Sequence, residues 1–262
     1  MAAPGPLERL SALLDRENPP WPKREVPPLA HWLYFLPCAR QSQIDSDGHP
    51  RRGSFLPPID LPRRMWAGSR IEFLRAVPLG SMIVRRSTIA SIAETSGAGG
   101  PKLFVTIRHE ISVEGSPAIV EEQDIVFRNA GVPASTASRD DRQSTPPAGA
   151  REVVLDSTAL FRFSALTFNA HRIHYDREYA RNVEDYPGLV VQGPFTAILL
   201  MDHFLGTNAG ARLRTVAIRA LRPLFEEAPF QLCLARDRTR VKLWALDPAG
   251  REAMAAQLTL EN

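Results

Sequence analysis

Asn169, His171, His174 and Asp176 lie within eight positions of one another in the segment FRFSALTFNAHRIHYDREYARNVEDYPGLVVQGP, residues 161–194. Gly193-Pro194 follows, and then a strongly apolar run, FTAILLMDHFL. An imidazole with an ordinary pKa titrates close to neutral pH, so His174 can hold a water and take its proton. Asn169 cannot act as a base, but its amide can fix the orientation of a water or a substrate. Proline suits the first turn of a helix. The N–H groups of that turn, backed by the helix dipole, favour an oxygen that gains negative charge. The spacing therefore suits a site that positions water beside a polarised oxygen.

The neighbouring residues read differently. His171 is three positions from His174, yet Asn-Ala-His-Arg-Ile-His reads as a turn. A metal centre would need a third ligand, and none has convincing spacing, so no metal is expected. Asp176 is expected to orient the motif through hydrogen bonds, and Tyr179 to pack. Earlier in the chain His31, His49 and His109 lack comparable company, and His109 falls in an alternating strand. One active centre, in the second half, follows.

The chain has 262 residues, 44% hydrophobic and 23% charged, enough for one large or two ordinary globular domains. No run approaches the roughly 18 apolar residues of a membrane span. The start, MAAPGPLERLSALLDRENPP, lacks a basic region followed by an apolar core and does not read as a secretory signal. A cytoplasmic protein is expected, with Cys38 and Cys233 as buried free thiols. The net charge is +3 and the pI about 9.1, with arginine pairs at 51–52, 63–64 and 85–86 and a triplet at 236, 238 and 240. Guanidinium forks suit carboxylates and phosphates, so an anionic substrate fits. No element for reading nucleic acid accompanies them.

Residues 131–150, GVPASTASRDDRQSTPPAGA, carry almost no large apolar side chain and read as a linker. The expected division is a first half over 1–132, a linker over 133–150 and a second half over 151–262. Residues 81–95, 102–115 and 118–129 alternate apolar and polar, as do 212–225, 230–250 and 251–262, so each half ends in antiparallel strands. The run after Pro194 is apolar nearly all round, which marks a helix buried against a sheet. The Pro- and aromatic-rich front of the first half has no equally clear helix. A sheet around a buried central helix, occurring twice, is the expected architecture.

FSALTFNAHRIHYD and YPGLVVQGP resemble the MaoC-like hydratase and dehydratase family of double hotdog proteins. The likeness is strongest to the branch with mesaconyl-CoA and itaconyl-CoA hydratases and type 2 hydroxyacyl-thioester dehydratases. HWLYFLP, GHPRRGSFLPPIDLPRRMWAGSRIEF and VTIRHEI with VEEQDIVFR are similar to the N-terminal half of that branch, so the likeness runs from about residue 30 onward. It departs from the broader family at Asn169, where an Asp is usual, and at Gln192, where a His often precedes the Gly.

The resemblance implies an α+β double hotdog fold and reversible hydration of a short, branched or dicarboxylic 2-enoyl-CoA. It implies His174 as base, Asn169 as an orienting group and the Gly193 N–H as oxyanion donor. Arg172, Tyr175, Val191 and Gln192 are the substrate-contacting set, with Arg172 either meeting a substrate carboxylate or lying on the surface. No cofactor is required beyond the coenzyme A carried by the substrate, and a homodimer is the expected assembly. Alternatives are a 3-hydroxyacyl-thioester dehydratase acting on fatty acyl chains, a hotdog acyl-CoA thioesterase and a silent acyl-thioester-binding subunit. The thioesterase would need a carboxylate near the central helix, where Asp202 is the sole acid and sits two turns in.

Overall fold

The alternating segments of both halves form strands, and the computed structural model, describing residues 1–53, 55–97, 100–129 and 143–261, joins them in one sheet. The first half supplies β1 (Arg63–Phe73), β2 (Ile83–Gly97), β3 (Gly100–Val113) and β4 (Ser116–Arg128). The second half supplies β5 (Arg151–Val153), β6 (Leu213–Ala220), β7 (Phe230–Asp237), β8 (Arg240–Leu246) and β9 (Glu252–Leu260). The order across the nine strands is β2-β3-β4-β1-β6-β9-β8-β7-β5, every pair antiparallel. The halves join where β1 pairs β6, Gly68 opposite Arg219 through Glu72 opposite Thr215. At that seam a Cβ on Gly68 would lie 2.1 Å from the Ile218 carbonyl oxygen.

The helices are α1 (Gly5–Leu13), α2 (Ser157–Thr167), α3 (Arg177–Asn182) and α4 (Gly193–Thr207). Helix α4 is the expected central helix. Every residue from Phe195 to Leu205 is buried, and the helix packs against β7, β8 and β9. No described helix is long and apolar enough to cross a membrane. Sequence reading assigned neither α1 nor α2, which pack together.

The double hotdog arrangement holds, with one correction. Among the described residues no long helix fills the first half. A 3-10 turn at Ala30–Leu33 takes that place, burying Leu29, Ala30 and Leu33 in the main core with Ile71 and Ile111. Pro27, Pro28 and Pro37 bracket this turn, and proline removes the amide that a longer helix would use. His31 does have company: its Nε2 lies 3.0 Å from Glu121, which also accepts from Ser69 Oγ and Trp32 Nε1. This buried network ties the turn to β1 and β4.

Most of the 133–150 linker lies outside the described residues. Residues 143–150 form neither strand nor helix, and Ser144 N–H donates to the Gly250 carbonyl at 2.8 Å. Cys233 is buried on β7, whereas Cys38, expected to be buried, is exposed in the irregular proline-flanked front.

Candidate active site

Asp156 caps α2 by accepting the Ala159 N–H at 2.8 Å. The helix ends at Phe168, held at φ 50°, and the chain turns sharply into the polar motif. Asn169 Oδ1 accepts the His171 N–H at 3.0 Å, closing a local turn. A 3-10 turn over Arg172–His174 follows, and Asp176 caps α3 through the Tyr179 N–H at 3.0 Å. Asp176 thus orients the motif as expected.

His174 is buried, and its Nδ1 lies 2.7 Å from the Val190 carbonyl. A carbonyl only accepts, so Nδ1 carries the proton and the lone pair is left on Nε2. Burial pushes the imidazole pKa down to about 4; the Val190 hydrogen bond opposes that shift and the nearby His49 adds to it. At neutral pH His174 is therefore an uncharged acceptor, the form a general base needs.

Val190 and Val191 reach this position through backbone bonds to Ile173 and Leu224, at 2.9 and 2.8 Å. Gln192 Nε2 donates to the Leu160 carbonyl and to Ser164 Oγ, both at 2.9 Å, tying α2 to the start of α4. Its Oε1 is buried without a partner. The Gly193 N–H, in the first turn of α4, has no acceptor among the described residues. The ring of Trp66, on β1, lies directly over Gly193.

A cleft of about 630 Å³ gathers these groups between the two halves. Asn169, His174, Val191, Gln192 and Gly193 line it from the second half; His49, Arg64 and Trp66 line it from the first. Since Asn169 Oδ1 is engaged, its NH2 is the end left for a ligand. Arg172 and Tyr175 do not line the cleft, a correction to the expected substrate-contacting set. Arg172 pairs with Asp176 at 2.7 Å and lies over the Tyr179 ring at 4.1 Å, while Tyr175 is exposed. Asp202 also lies elsewhere, held by Arg16 and Arg151 at 2.9 Å each. No carboxylate of α4 is therefore available to attack a thioester.

Sequence reasoning missed the first-half contribution. The loop carrying Asp47, Gly48 and His49 docks on the motif: Arg172 N–H donates to the Asp47 carbonyl at 2.9 Å. His49 Nδ1 lies 3.0 Å from Asp47 Oδ2, and its ring packs against His171 at a tilt of 42°, with centroids 4.1 Å apart. Burial, then repulsion from His49 and His174, hold His171 well below its ordinary pKa, and burial chiefly lowers His49 as well. Asp47, His49 and His171 are the one group among the described residues where three ligand-type side chains converge, within 4.8 Å. Asp47 is already engaged there: its second oxygen accepts the His49 N–H at 2.8 Å. No local signal foretells this docking, because the partners are more than a hundred residues apart.

A family profile described as hydroxyacyl-thioester dehydratase type 2 matches residues 29–226. The mesaconyl-C(4)-CoA hydratase of Chloroflexus aurantiacus is 45% identical over 261 residues, covering 99% of this chain and 90% of that protein. The crystal structure of HtdX from Mycobacterium tuberculosis superposes with a TM-score of 0.71 at 14% identity, over 98% of this chain and 95% of that one. A MaoC-like dehydratase from Phytophthora capsici gives 0.69 at 14% identity, over 99% and 93%. The two structures share the fold.

Proposed function

Because the chain belongs to the type 2 hydroxyacyl-thioester dehydratase family, we propose that its hydratase/dehydratase chemistry acts on a short dicarboxylic 2-enoyl-CoA of the mesaconyl or itaconyl type. The observation that carries this reading is the convergence of His174, Asn169, Gln192 and the free Gly193 N–H on one cleft. The 45% identity to a mesaconyl-C(4)-CoA hydratase over nearly the whole chain supports the substrate class.

In the hydration direction, His174 Nε2 accepts a proton from a water that the Asn169 amide orients. The water oxygen bonds to the β-carbon, and the double-bond electrons move onto the thioester oxygen. That oxyanion meets the Gly193 N–H at the positive end of α4; a donor of this kind is worth about 3 kcal/mol in the transition state. The proton on His174 then passes to the α-carbon, directly or through water, and the thioester reforms. Dehydration is the reverse. Gln192 Oε1 is the acceptor left for a substrate or water hydrogen. Coenzyme A enters as part of the substrate.

The test is the loss of enoyl-thioester absorbance with purified protein, with free thiol followed in parallel. Expected are hydrated CoA ester and no thiol release. Thiol release without hydration would make the protein a thioesterase, and neither signal would make it a binding subunit. Longer fatty enoyl-CoAs belong in the same panel, since the matching profile is described by hydroxyacyl thioesters.

A further inference from the structure

We propose that Arg64 receives a free carboxylate on the acyl group and so selects dicarboxylic over monocarboxylic enoyl thioesters. This rests on the lyase reading above and names the residue behind its substrate class.

Arg64 is the second residue of β1, is partly buried and lines the cleft. Among the described residues it makes no hydrogen bond and no ion pair. Its neighbours are different. Arg63 pairs with Glu184 at 2.9 Å and with Asp185 at 3.3 Å. Arg52 donates to the carbonyls of Leu61 and Pro62 at 2.7 and 2.8 Å. Arg70 bonds Asp124 and Glu122. The acid whose charge reaches Arg64 is Asp47, and both of its carboxylate oxygens are engaged by His49. Burial lowers the Arg64 pKa, as expected of a cation withdrawn from water without a counterion. A guanidinium left open in this way presents a fork matched to a carboxylate.

Position decides which anion. Arg64 stands two residues before Trp66 on β1, on the same face of the strand, and the Trp66 ring lies against Gly193, with all three lining the cleft. Arg64 therefore stands at the reacting end of the cleft. The phosphates of coenzyme A hang at the far end of the pantetheine arm, so the anion here belongs to the acyl group. A carboxylate on the β-carbon, as in mesaconyl-C4-CoA, would repel the hydroxide-like oxygen approaching that carbon. A guanidinium beside it removes the repulsion and fixes which face is attacked.

The experiment compares mesaconyl-C4-CoA with crotonyl-CoA, which has a hydrogen in place of the β-carboxylate. It uses wild type, Arg64→Met and Arg64→Lys. Arg64→Met is expected to lower the ratio of kcat/KM for the first substrate over the second by about 100-fold, with Arg64→Lys in between. The inhibition constant for free coenzyme A should stay unchanged. A parallel fall for both substrates, or weaker inhibition by free coenzyme A, would assign Arg64 to the nucleotide or the fold and overturn the proposal. So would an unchanged ratio. If wild type hydrates neither ester, the lyase reading fails, and calorimetric Kd values for the two esters give the same ratio without turnover. Thermal melting checks that each variant folds, and Arg64→Lys carries the comparison if Arg64→Met does not.

Discussion

Trp66 and Gly193 occupy each other's space so closely that a methyl group on residue 193 would lie 2.7 Å from Cε3 of the indole. An aromatic ring from the first half thus sets how near the first turn of α4 can come to the cleft wall. Gly193→Ala is expected to destabilise the fold by about 1–3 kcal/mol through overpacking and to lower hydration sharply. Trp66→Ala in the same chain should recover stability but not full activity. A double-mutant cycle on thermal stability and kcat/KM checks this; additive effects would mean the two residues do not interact.

His174→Ala is expected to cut kcat by about a thousandfold while thermal melting still shows a folded protein. Asn169→Ala should cost less, about tenfold, because a positioning amide is lost rather than the proton acceptor. Near-normal turnover of the His174 variant would move the base elsewhere, with His49 the next imidazole to examine.

The pH profile of kcat/KM reports groups on the free enzyme. With His174 lowered to about 4, the acid limb is expected near pH 4 rather than near the ordinary histidine value of 6.5. The sign for stability follows from the same shift. Between those values the unfolded chain binds a proton that the buried imidazole refuses. This contribution to stability is therefore fully present above about pH 6.5 and is lost as the pH falls towards 4. Chemical denaturation across that range measures it, and a His174→Gln variant should flatten the slope.

Gly48 sits at φ +91°, and a Cβ there would lie 1.7 Å from the Ala170 carbonyl oxygen. Both the backbone conformation and the close approach require glycine. Gly48→Ala is expected to lift the first-half loop from the motif, lowering kcat/KM by tenfold or more, about 1.4 kcal/mol. Gly53→Ala is a control for backbone strain, since its φ is +100° and nothing lies within 4 Å of its Cβ. Equal losses in the two variants would remove the docking explanation.

The strands were legible because alternation is local: 102–115 and 118–129 become β3 and β4 nearly as written. Helix α4 was legible from Pro194 and an apolar run too continuous for a surface. The motif proposed to carry the chemistry, too, lies within one short segment. Side chains that meet across the halves were not legible. His49 and Arg64 enter the cleft through long-range docking, which no spacing rule encodes. Arg172 shows the reverse error, since the i,i+4 pairing with Asp176 was written in the sequence and competes with any substrate role. Helix α2 had its Asp156 cap in view but lacks a clear polar face. In the first half a proline-bracketed 3-10 turn stands where symmetry alone would have supplied a helix.

The seam between β1 and β6 also bears on how such a chain can be recombined. With Gly68 against the Ile218 carbonyl, the inner strands meet backbone to backbone, leaving no room for even one added carbon. A one-residue slip would send each seam side chain to the opposite face and carry Arg64 and Trp66 away from the cleft they line. Grafting either half onto a distant cousin must therefore reproduce this strand alignment before any residue of the reaction centre is worth transplanting.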